Sequence, residues 1–394
     1  MAARVVGFEA DFLSFEGRFN FGKVTRKALR GPKRAMIAPM NGKLGWLWAI
    51  VAAALLTVLF AWRSHPVTVG SEAFARQGDH IFYEPMARGD TTVKAPFRWR
   101  KGLAVTARAM PTDYQTAYRI LTYLAMFGGA VAMFGLGRRL GGADKWGYAA
   151  MGFLFAVQPL SQAAIDNFWL IDVAALAFVV AITAAHLYEL WPLVIVLSLL
   201  GGGVRETVPV LAAALCWFVR PSKTALYALV GVLTYAAIRI SDPAVHKFSV
   251  ADALSARIHT PPATMVMDYL VRPLSWPVLG LLALALVLKW PIPRERVLRL
   301  LPLIVLVVGQ LLVASDTDRL LMMLTPGLVL LLIQSASGSP SPSPMGRGLG
   351  GGATRFVLAL AAFGAAAALA HAPNVVWIVG VVALCVGAVV AERK

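Results

Sequence analysis

Cysteine and charge are both scarce in this sequence of 394 residues. Its two cysteines, Cys216 and Cys385, lie in apolar stretches, which argues against a disulfide framework and a zinc site. Only 14% of the residues are charged and 58% are hydrophobic, whereas soluble domains have about 25% charged residues. The sequence also lacks G-x-S-x-G, H-E-x-x-H and P-loop motifs, so hydrolase, zinc-protease and nucleotidase functions have no support.

Long apolar runs are what the sequence has instead. A run of about 17–25 apolar residues crosses the hydrocarbon core of a membrane as a helix. The pattern therefore predicts an all-α, polytopic transmembrane helical bundle of about 10–12 spans, with a long first external loop that carries short surface helices. The short segments 191–203 and 205–219 also fit one interrupted helix or a re-entrant pair. The predicted spans are 44–62, 115–137, 146–162, 168–188, 191–203, 205–219, 223–240, 270–289, 297–314, 319–335, 355–371 and 374–391.

The predicted spans divide the sequence into four segments. Residues 1–43 form a basic, amphipathic cytoplasmic segment whose Phe8, Phe12, Phe15 and Phe19 recur at helical spacing, as in an interfacial helix. A disordered extension, or translation that starts at Met40, fits the same residues. The others are a transmembrane catalytic core at 44–335, a Ser/Pro/Gly-rich linker at 336–354 and two C-terminal transmembrane helices at 355–394.

The positive charge of the chain is uneven along its length. The formal net charge is +17, and 22 of the 37 basic residues fall on one side of the predicted spans. Basic residues collect on the cytoplasmic side and near anionic lipid, so we expect both termini in the cytoplasm and membrane lipid as a partner, with no role for nucleic acid. The composition suggests a bacterial inner (plasma) membrane. The sequence leaves the oligomeric state open.

The first external loop, residues 63–113, is unusually rich in charge. Asp79 is a candidate general base for an acceptor hydroxyl, with His80 and Tyr83 beside it as substrate contacts. The alternative is that Asp79 is the N-cap of a short surface helix that starts at His80. Further along the loop, Arg98, Arg100 and Lys101 surround a tryptophan and would suit a lipid-linked phosphate; plain interfacial anchoring is equally consistent.

Two other charged groups fall on the same predicted side of the membrane. Arg205 and Glu206 follow three glycines that permit a helix break, and charge at that depth indicates a functional site or a structural ion pair between helices. The turn with Asp316, Asp318 and Arg319 fits a cation, sugar hydroxyls or a phosphate, or else a polar hairpin with a helix cap. Weaker candidates are Asp166 and Asn167, which read as a cap, and Asp172, placed about one turn into the next span.

Together these motifs resemble the GT-C superfamily of polytopic glycosyltransferases. The resemblance covers roughly residues 44–335 and consists of the G-D-x-x-x-Y of the first loop, F-R-W-R, G-x-R-E and D-x-D-R. It implies that Asp79 is the catalytic base, that Arg205 and Glu206 are the basic–acidic pair of the middle helix, and that Arg319 faces the donor phosphate. Many members have two adjacent acids in the first loop, whereas here Asp79 is followed by His80.

The resemblance also implies a substrate and a mechanism. The expected donor is a polyprenyl-phosphate sugar, and the expected reaction is an inverting displacement at the anomeric carbon. No metal ligand is assigned, although a divalent cation is compatible with the late acidic turn. Two other functions stay open: a transporter or flippase for a lipid-linked or anionic solute, with the Arg205–Glu206 region as its gate, and a non-catalytic subunit of envelope assembly.

Overall fold

The computed structural model describes residues 42–64, 79–93, 97–157, 167–221, 292–311 and 320–337, together with isolated positions between these ranges. The predicted spans 270–289, 355–371 and 374–391 and the segment 1–41 lie outside the described residues, as do most of the span 223–240 and all but the first two residues of the linker. The chain divides into two compact units, Met1–Gly45 and Trp46–Lys394. Residues 42–45 begin the first helix, and everything discussed below belongs to the second unit.

The described residues form ten α-helices and contain no strand, which confirms the all-α prediction. Two short 3₁₀ turns, Phe97–Trp99 and Met322–Leu324, accompany them. The helices are α1 Gly42–Arg63, α2 His80–Arg88, α3 Lys101–Ala109, α4 Tyr114–Gly141, α5 Asp144–Phe155, α6 Asp172–Leu187, α7 Trp191–Val204, α8 Val208–Val219, α9 Arg294–Leu311 and α10 Thr325–Ser337.

Helix α4 is the longest element and lies at the centre of the bundle. It packs along α5, α6 and α10, while α6 also packs against α7 and α8, and α8 against α9. Asp113 caps its start by accepting a hydrogen bond from the Thr116 N–H at 3.0 Å, and Gly142 ends it in a left-handed conformation at φ 74°. Between these signals the run contains no proline, so every backbone N–H is available and the helix continues for 28 residues.

Two of the described helices are long and apolar enough to cross a membrane, by length and composition alone: Lys43–Arg63 and Tyr114–Gly141. Helices α6, α7 and α8 are apolar but have 16, 14 and 12 residues, fewer than the about 20 that a span needs. Among the described residues the structure therefore supports two membrane spans, and the larger number remains a prediction.

Candidate functional site

Short helices of the first loop create one side of the site. Helix α2 begins at His80, as the cap interpretation predicts, but the Asp79 side chain makes no capping hydrogen bond. The carboxylate instead accepts a hydrogen bond from the Asn167 side-chain amide at 3.4 Å. Asp79 thus occupies the N-cap position of α2, but its carboxylate bonds Asn167 and not the first turn of the helix.

The other end of α2 is fixed by Arg108 of α3. Its guanidinium donates to the carbonyls of Met86 and Ala87 at 2.9 and 2.8 Å, and Gly89 closes the helix at φ 100°. These bonds satisfy the carbonyls that a helix end leaves unpaired. As a result α2 and α3 form one unit, with Tyr83, Met86, Leu103 and Ala107 among its buried residues.

Tyr83 lies one helical turn after Asp79 and is fully buried. Its ring packs near Tyr118 and Phe97, with centroids 6.3 and 6.0 Å away. Burial raises the pKa of the Tyr83 hydroxyl to about 12; Asp172 and Asp79 add to the rise, and Arg100 opposes it. Arg100 acts on that hydroxyl through its charge and through a side-chain hydrogen bond. The hydroxyl is therefore a protonated donor that faces charged neighbours.

Arg100 follows the 3₁₀ turn Phe97–Trp99, and its side chain contacts Glu206 in the break between α7 and α8. Its Nε and Nη2 donate to the two carboxylate oxygens of Glu206 at 3.2 and 3.4 Å. Burial alone would lower the pKa of Arg100, but Glu206 and Tyr83 bring it above its ordinary value. Burial alone would raise the pKa of Glu206, and Arg100 brings it below its ordinary value. Both groups are therefore charged at neutral pH.

The second ion pair lies in the break between α7 and α8. Arg205 bonds to the carboxylate of Asp172, and both side chains are buried. The sequence interpretation placed Asp172 one turn inside its helix, and this is wrong: Asp172 is the first residue of α6. Its position at a helix N-terminus, where the dipole favours an anion, allows an acid to be tolerated in an apolar setting.

The three glycines do not themselves interrupt the helix. Gly201, Gly202 and Gly203 belong to α7, and the interruption follows at residues 205–207. A Cβ on Gly102 of α3 would come within 2.8 Å of the Gly203 carbonyl carbon, so the two backbones pack in direct contact. The glycines thus allow the first-loop helices to approach α7 closely enough for Arg100 to reach Glu206.

Five of the predicted site residues meet in this one cluster, although they come from three separate stretches of sequence. They are Asp79, Tyr83, Arg100, Arg205 and Glu206. Arg205 and Glu206 each bond a residue from another element, which is the structural ion pair between helices that the sequence left open as an alternative. With Asp172, the described residues of the cluster hold three carboxylates and two guanidinium groups, and each guanidinium is joined to a carboxylate.

Other predicted residues are placed differently. Lys101 is exposed at the start of α3. His80 is half-buried, with its ring 6.5 Å from that of Trp169. The tryptophan beside Arg100, Trp99, is 5% exposed and packs inside the protein instead of facing lipid headgroups. The backbone of Arg98 belongs to the 3₁₀ turn, but its side chain lies outside the described part of the chain.

The late acidic turn cannot be placed in the cluster. Asp316, Asp318 and Arg319 lie outside the described residues, and so does Asp166. Within the described ranges, no group of three His, Cys, Asp or Glu side chains could hold a metal ion. A divalent cation therefore remains a prediction that concerns the late turn.

Asp172 and Asn167 are the residues that the sequence interpretation undervalued. Both were treated as weak candidates, since a cap explains an isolated polar residue at a helix end. The usable signal was the apolar surroundings of Asp172, because a carboxylate in such a run needs a charged partner.

A scan of protein-family models and searches of characterised proteins and solved structures find no match to this chain.

Proposed function

We propose that this protein is a membrane glycosyltransferase. It would move a sugar from a polyprenyl-phosphate-linked donor to an envelope or lipid acceptor on the non-cytoplasmic face of a bacterial inner membrane, with both termini cytoplasmic. One observation carries the proposal: the first-loop acid Asp79, the buried Tyr83 and the charged residues of the α7–α8 break lie in one cluster. Structural ion pairs alone would not require a first-loop acid beside them.

Asp79 is the base in this proposal. As the acceptor oxygen attacks the anomeric carbon and the bond to the donor phosphate breaks, Asp79 takes the proton of the acceptor hydroxyl. The Asn167 side-chain amide donates to the Asp79 carboxylate and so helps to fix its orientation toward the site. A positioned base of this kind contributes about 10²–10⁴-fold in rate.

The donor phosphate needs positive charge from beyond the two ion pairs. Arg100 and Arg205 are each joined to a carboxylate, and separation of either pair would leave a buried charge without its partner. The proposal therefore assigns the phosphate to Arg98, Lys101 and Arg319, which the sequence supplies near the first loop and at the late turn. Lys101 is exposed and suits such a role at the edge of the site.

The membrane location is supported by the surface of α1. Its exposed side chains include Trp48 at 58%, Leu55 at 61%, Val58 at 62% and Trp62 at 77% exposure. A surface of this kind over the length of a 22-residue helix is costly in water and favourable in hydrocarbon. The basic distribution of the sequence gives the expected orientation.

A transporter is the second candidate, and the break between α7 and α8 favours it. Discontinuous helices whose ends face charged residues form the substrate sites of many transporters. Asp79 separates the two functions. Transport should survive its neutralisation, whereas glycosyl transfer should not.

The test is a transfer assay with purified protein in lipid, in which wild type is compared with Asp79→Asn. Radiolabelled polyprenyl-phosphate sugars serve as donors and an envelope extract as acceptor. We expect wild type to transfer label and Asp79→Asn to lose about 10²–10⁴-fold of the rate. Asp90→Asn is the matched control, because Asp90 is an exposed acid of the same loop whose carboxylate bonds Thr92. Label bound but never transferred by wild type would favour the transporter.

A further inference from the structure

Helix α9 begins with arginines in a place that does not favour them. Arg294 and Arg296 lie in its first turn and Arg299 in its second, and the acid among them is Glu295. The start of a helix carries partial positive charge, which favours anions and disfavours cations. In the sequence, the segment from Lys289 to Arg299 holds four basic residues and one acid. The start of α9 therefore carries an excess of positive charge that the helix itself opposes.

The arginines of α9 also repel one another. The pKa of Arg296 lies below its ordinary value because the side chain is partly buried and because the charge of Arg299, one turn away, opposes it. Among the described residues, no carboxylate forms an ion pair with any of the three arginines. Asp144 and Glu189, which the sequence places on the same side of the membrane, bond other arginines. An anion from outside the protein would offset the repulsion.

An exposed apolar stripe continues along α9 from these arginines. Its four side chains are 45–59% exposed and recur at intervals of three or four residues, so they share one face of the helix: Leu298, Leu301, Val305 and Val308. Arg294 precedes this series by four residues and lies on the same face. The opposite face is packed, because Leu300, Leu303 and Val307 are buried where α9 contacts α8 and α10.

The length of the stripe matches one leaflet of a membrane. From Leu298 to Val308 the helix rises about 15 Å, at roughly 1.5 Å per residue. This is about half of the ~30 Å hydrocarbon core of a bilayer. The arginines would then lie at the depth of the lipid headgroups when the stripe lies along the acyl chains of the same leaflet.

The combination of charge and stripe restricts the partner. An acidic peptide or a nucleic acid would pair with the arginines but leave the apolar stripe in water. A lipid without net charge would cover the stripe but leave the arginines without an anion. A phospholipid with a net negative charge meets both requirements, because guanidinium groups bond phosphate oxygens and acyl chains cover apolar side chains.

We propose that Arg294, Arg296 and Arg299 bind the phosphate group of an anionic glycerophospholipid in the cytoplasmic leaflet, with an acyl chain along the stripe from Leu298 to Val308. The inference rests on the membrane location in the proposed function but not on glycosyl transfer. It adds a lipid partner that stabilises α9 and takes no part in the reaction.

The test compares two lipids with the same acyl chains, phosphatidylglycerol and phosphatidylcholine. Full-length protein in a neutral detergent is titrated with each lipid, and native mass spectrometry counts the lipid molecules that stay bound. We expect phosphatidylglycerol to bind about tenfold more tightly, since each basic residue near an anionic headgroup favours binding. Inorganic phosphate at the same concentration should not displace it, because phosphate cannot use the stripe.

A variant of α9 assigns the binding to the three arginines. The substitutions Arg294→Gln, Arg296→Gln and Arg299→Gln together should weaken phosphatidylglycerol binding about tenfold or more and leave phosphatidylcholine binding within about twofold. Arg299→Gln alone should weaken phosphatidylglycerol binding about fivefold. A charge-matched control removes three exposed basic residues that the sequence also places on the cytoplasmic side: Lys43→Gln, Arg139→Gln and Lys145→Gln. Circular dichroism confirms that each variant is folded.

The outcomes separate this inference from the proposed function. Equal affinity for the two lipids, displacement by inorganic phosphate, or equal losses in the two triple variants would each overturn the inference. Equal losses would mean that the lipid responds to the general positive charge of this side and not to α9. A loss confined to the α9 variants, in a protein that never transfers sugar, would support the lipid site and reject only the transferase. Sugar transfer by a wild type that binds both lipids equally would retain the transferase and reject the lipid site.

Discussion

Arg100 and Glu206 are 106 positions apart in the sequence, yet their side chains form a two-point ion pair with distances of 3.2 and 3.4 Å. This pair joins the first loop to the break between α7 and α8. It also places Arg100 near Tyr83, which connects the α2 helix to the same group of charges. The geometry of the candidate site therefore depends on one contact between distant parts of the chain.

The first prediction concerns the stability that this ion pair provides. Arg100→Met leaves the Glu206 carboxylate buried without its partner, and we expect the free energy of unfolding to fall by about 3–5 kcal/mol. The double variant Arg100→Met/Glu206→Leu removes both charges and should recover most of that loss. Reversible unfolding in mixed micelles measures both.

The exposed pair Arg88–Glu84 of α2 is the control for that experiment. Arg88→Met should change the free energy of unfolding by at most about 1 kcal/mol, because solvent screens a surface pair. If the Arg100→Met loss were equally small, or if the double variant were as unstable as the sum of its single variants, the buried pair would not have the structural role described here.

The second prediction concerns the contact between the backbones of α3 and α7. Gly102→Ala would place a Cβ 2.8 to 3.0 Å from three backbone atoms of Gly203 and Val204, so the helices must separate. We expect a loss of about 1–3 kcal/mol in stability. Gly128→Ala, at a helical position with no atom within 4 Å, should instead stabilise by about 0.5–1 kcal/mol. Equal melting temperatures for the two variants would contradict the close contact.

The all-α class and most described helices were predictable from the sequence, whereas the number of membrane spans stays a prediction. Helices α4, α7 and α8 lie close to the predicted spans 115–137, 191–203 and 205–219, because long apolar runs and cap residues act locally. Asp113 and Gly142, for example, mark both ends of α4 in the sequence itself. The start of α2 at His80 was also predicted, although the Asp79 side chain makes no capping hydrogen bond there.

The partners within the site were not predictable. Charge in an apolar setting predicted that Arg205 and Glu206 need partners or water, but it did not name Asp172 and Arg100 as those partners. Which acid meets which arginine depends on the packing of α3 against α7, and that depends on two glycines 101 positions apart. Periodicity in one sequence carries no information about such contacts.

The third prediction concerns the pH dependence of the cap of α4. The Thr116 N–H bond to Asp113 lowers the pKa of this carboxyl below its ordinary value, so its contribution is present at neutral pH and is lost as the pH falls through the lowered pKa. Asp113→Ala should cost about 0.5–2 kcal/mol at pH 7. The difference from wild type should shrink below about pH 4, the ordinary pKa of the group.

Unfolding free energies measured from pH 7 to pH 3 check this expectation. Asp113→Asn keeps a capping side chain that does not titrate, so it should be more stable than Asp113→Ala at every pH. A wild-type advantage over Asp113→Ala that stays constant down to pH 3 would show that the charge of Asp113 does not contribute to the cap.

The fourth prediction concerns the placement of the chain in the membrane, since the proposed reaction requires the first loop on the non-cytoplasmic side. In a variant with both native cysteines replaced by alanine, single cysteines are introduced at Thr92, Leu55 and Lys145. Thr92 is exposed after α2, and Lys145 is exposed near the start of α5.

A membrane-impermeant maleimide should label Thr92→Cys in intact bacterial cells and Lys145→Cys only after permeabilisation, because the loops flank opposite ends of α4. Leu55→Cys, at the middle of α1 and 61% exposed in the protein, should react only after the membrane is dissolved by denaturing detergent. Labelling of Leu55→Cys in intact membranes would show that α1 lies in water. Labelling of Lys145→Cys alone in intact cells would show the opposite orientation. Asp79 would then lie on the side where a polyprenyl-linked donor is not expected.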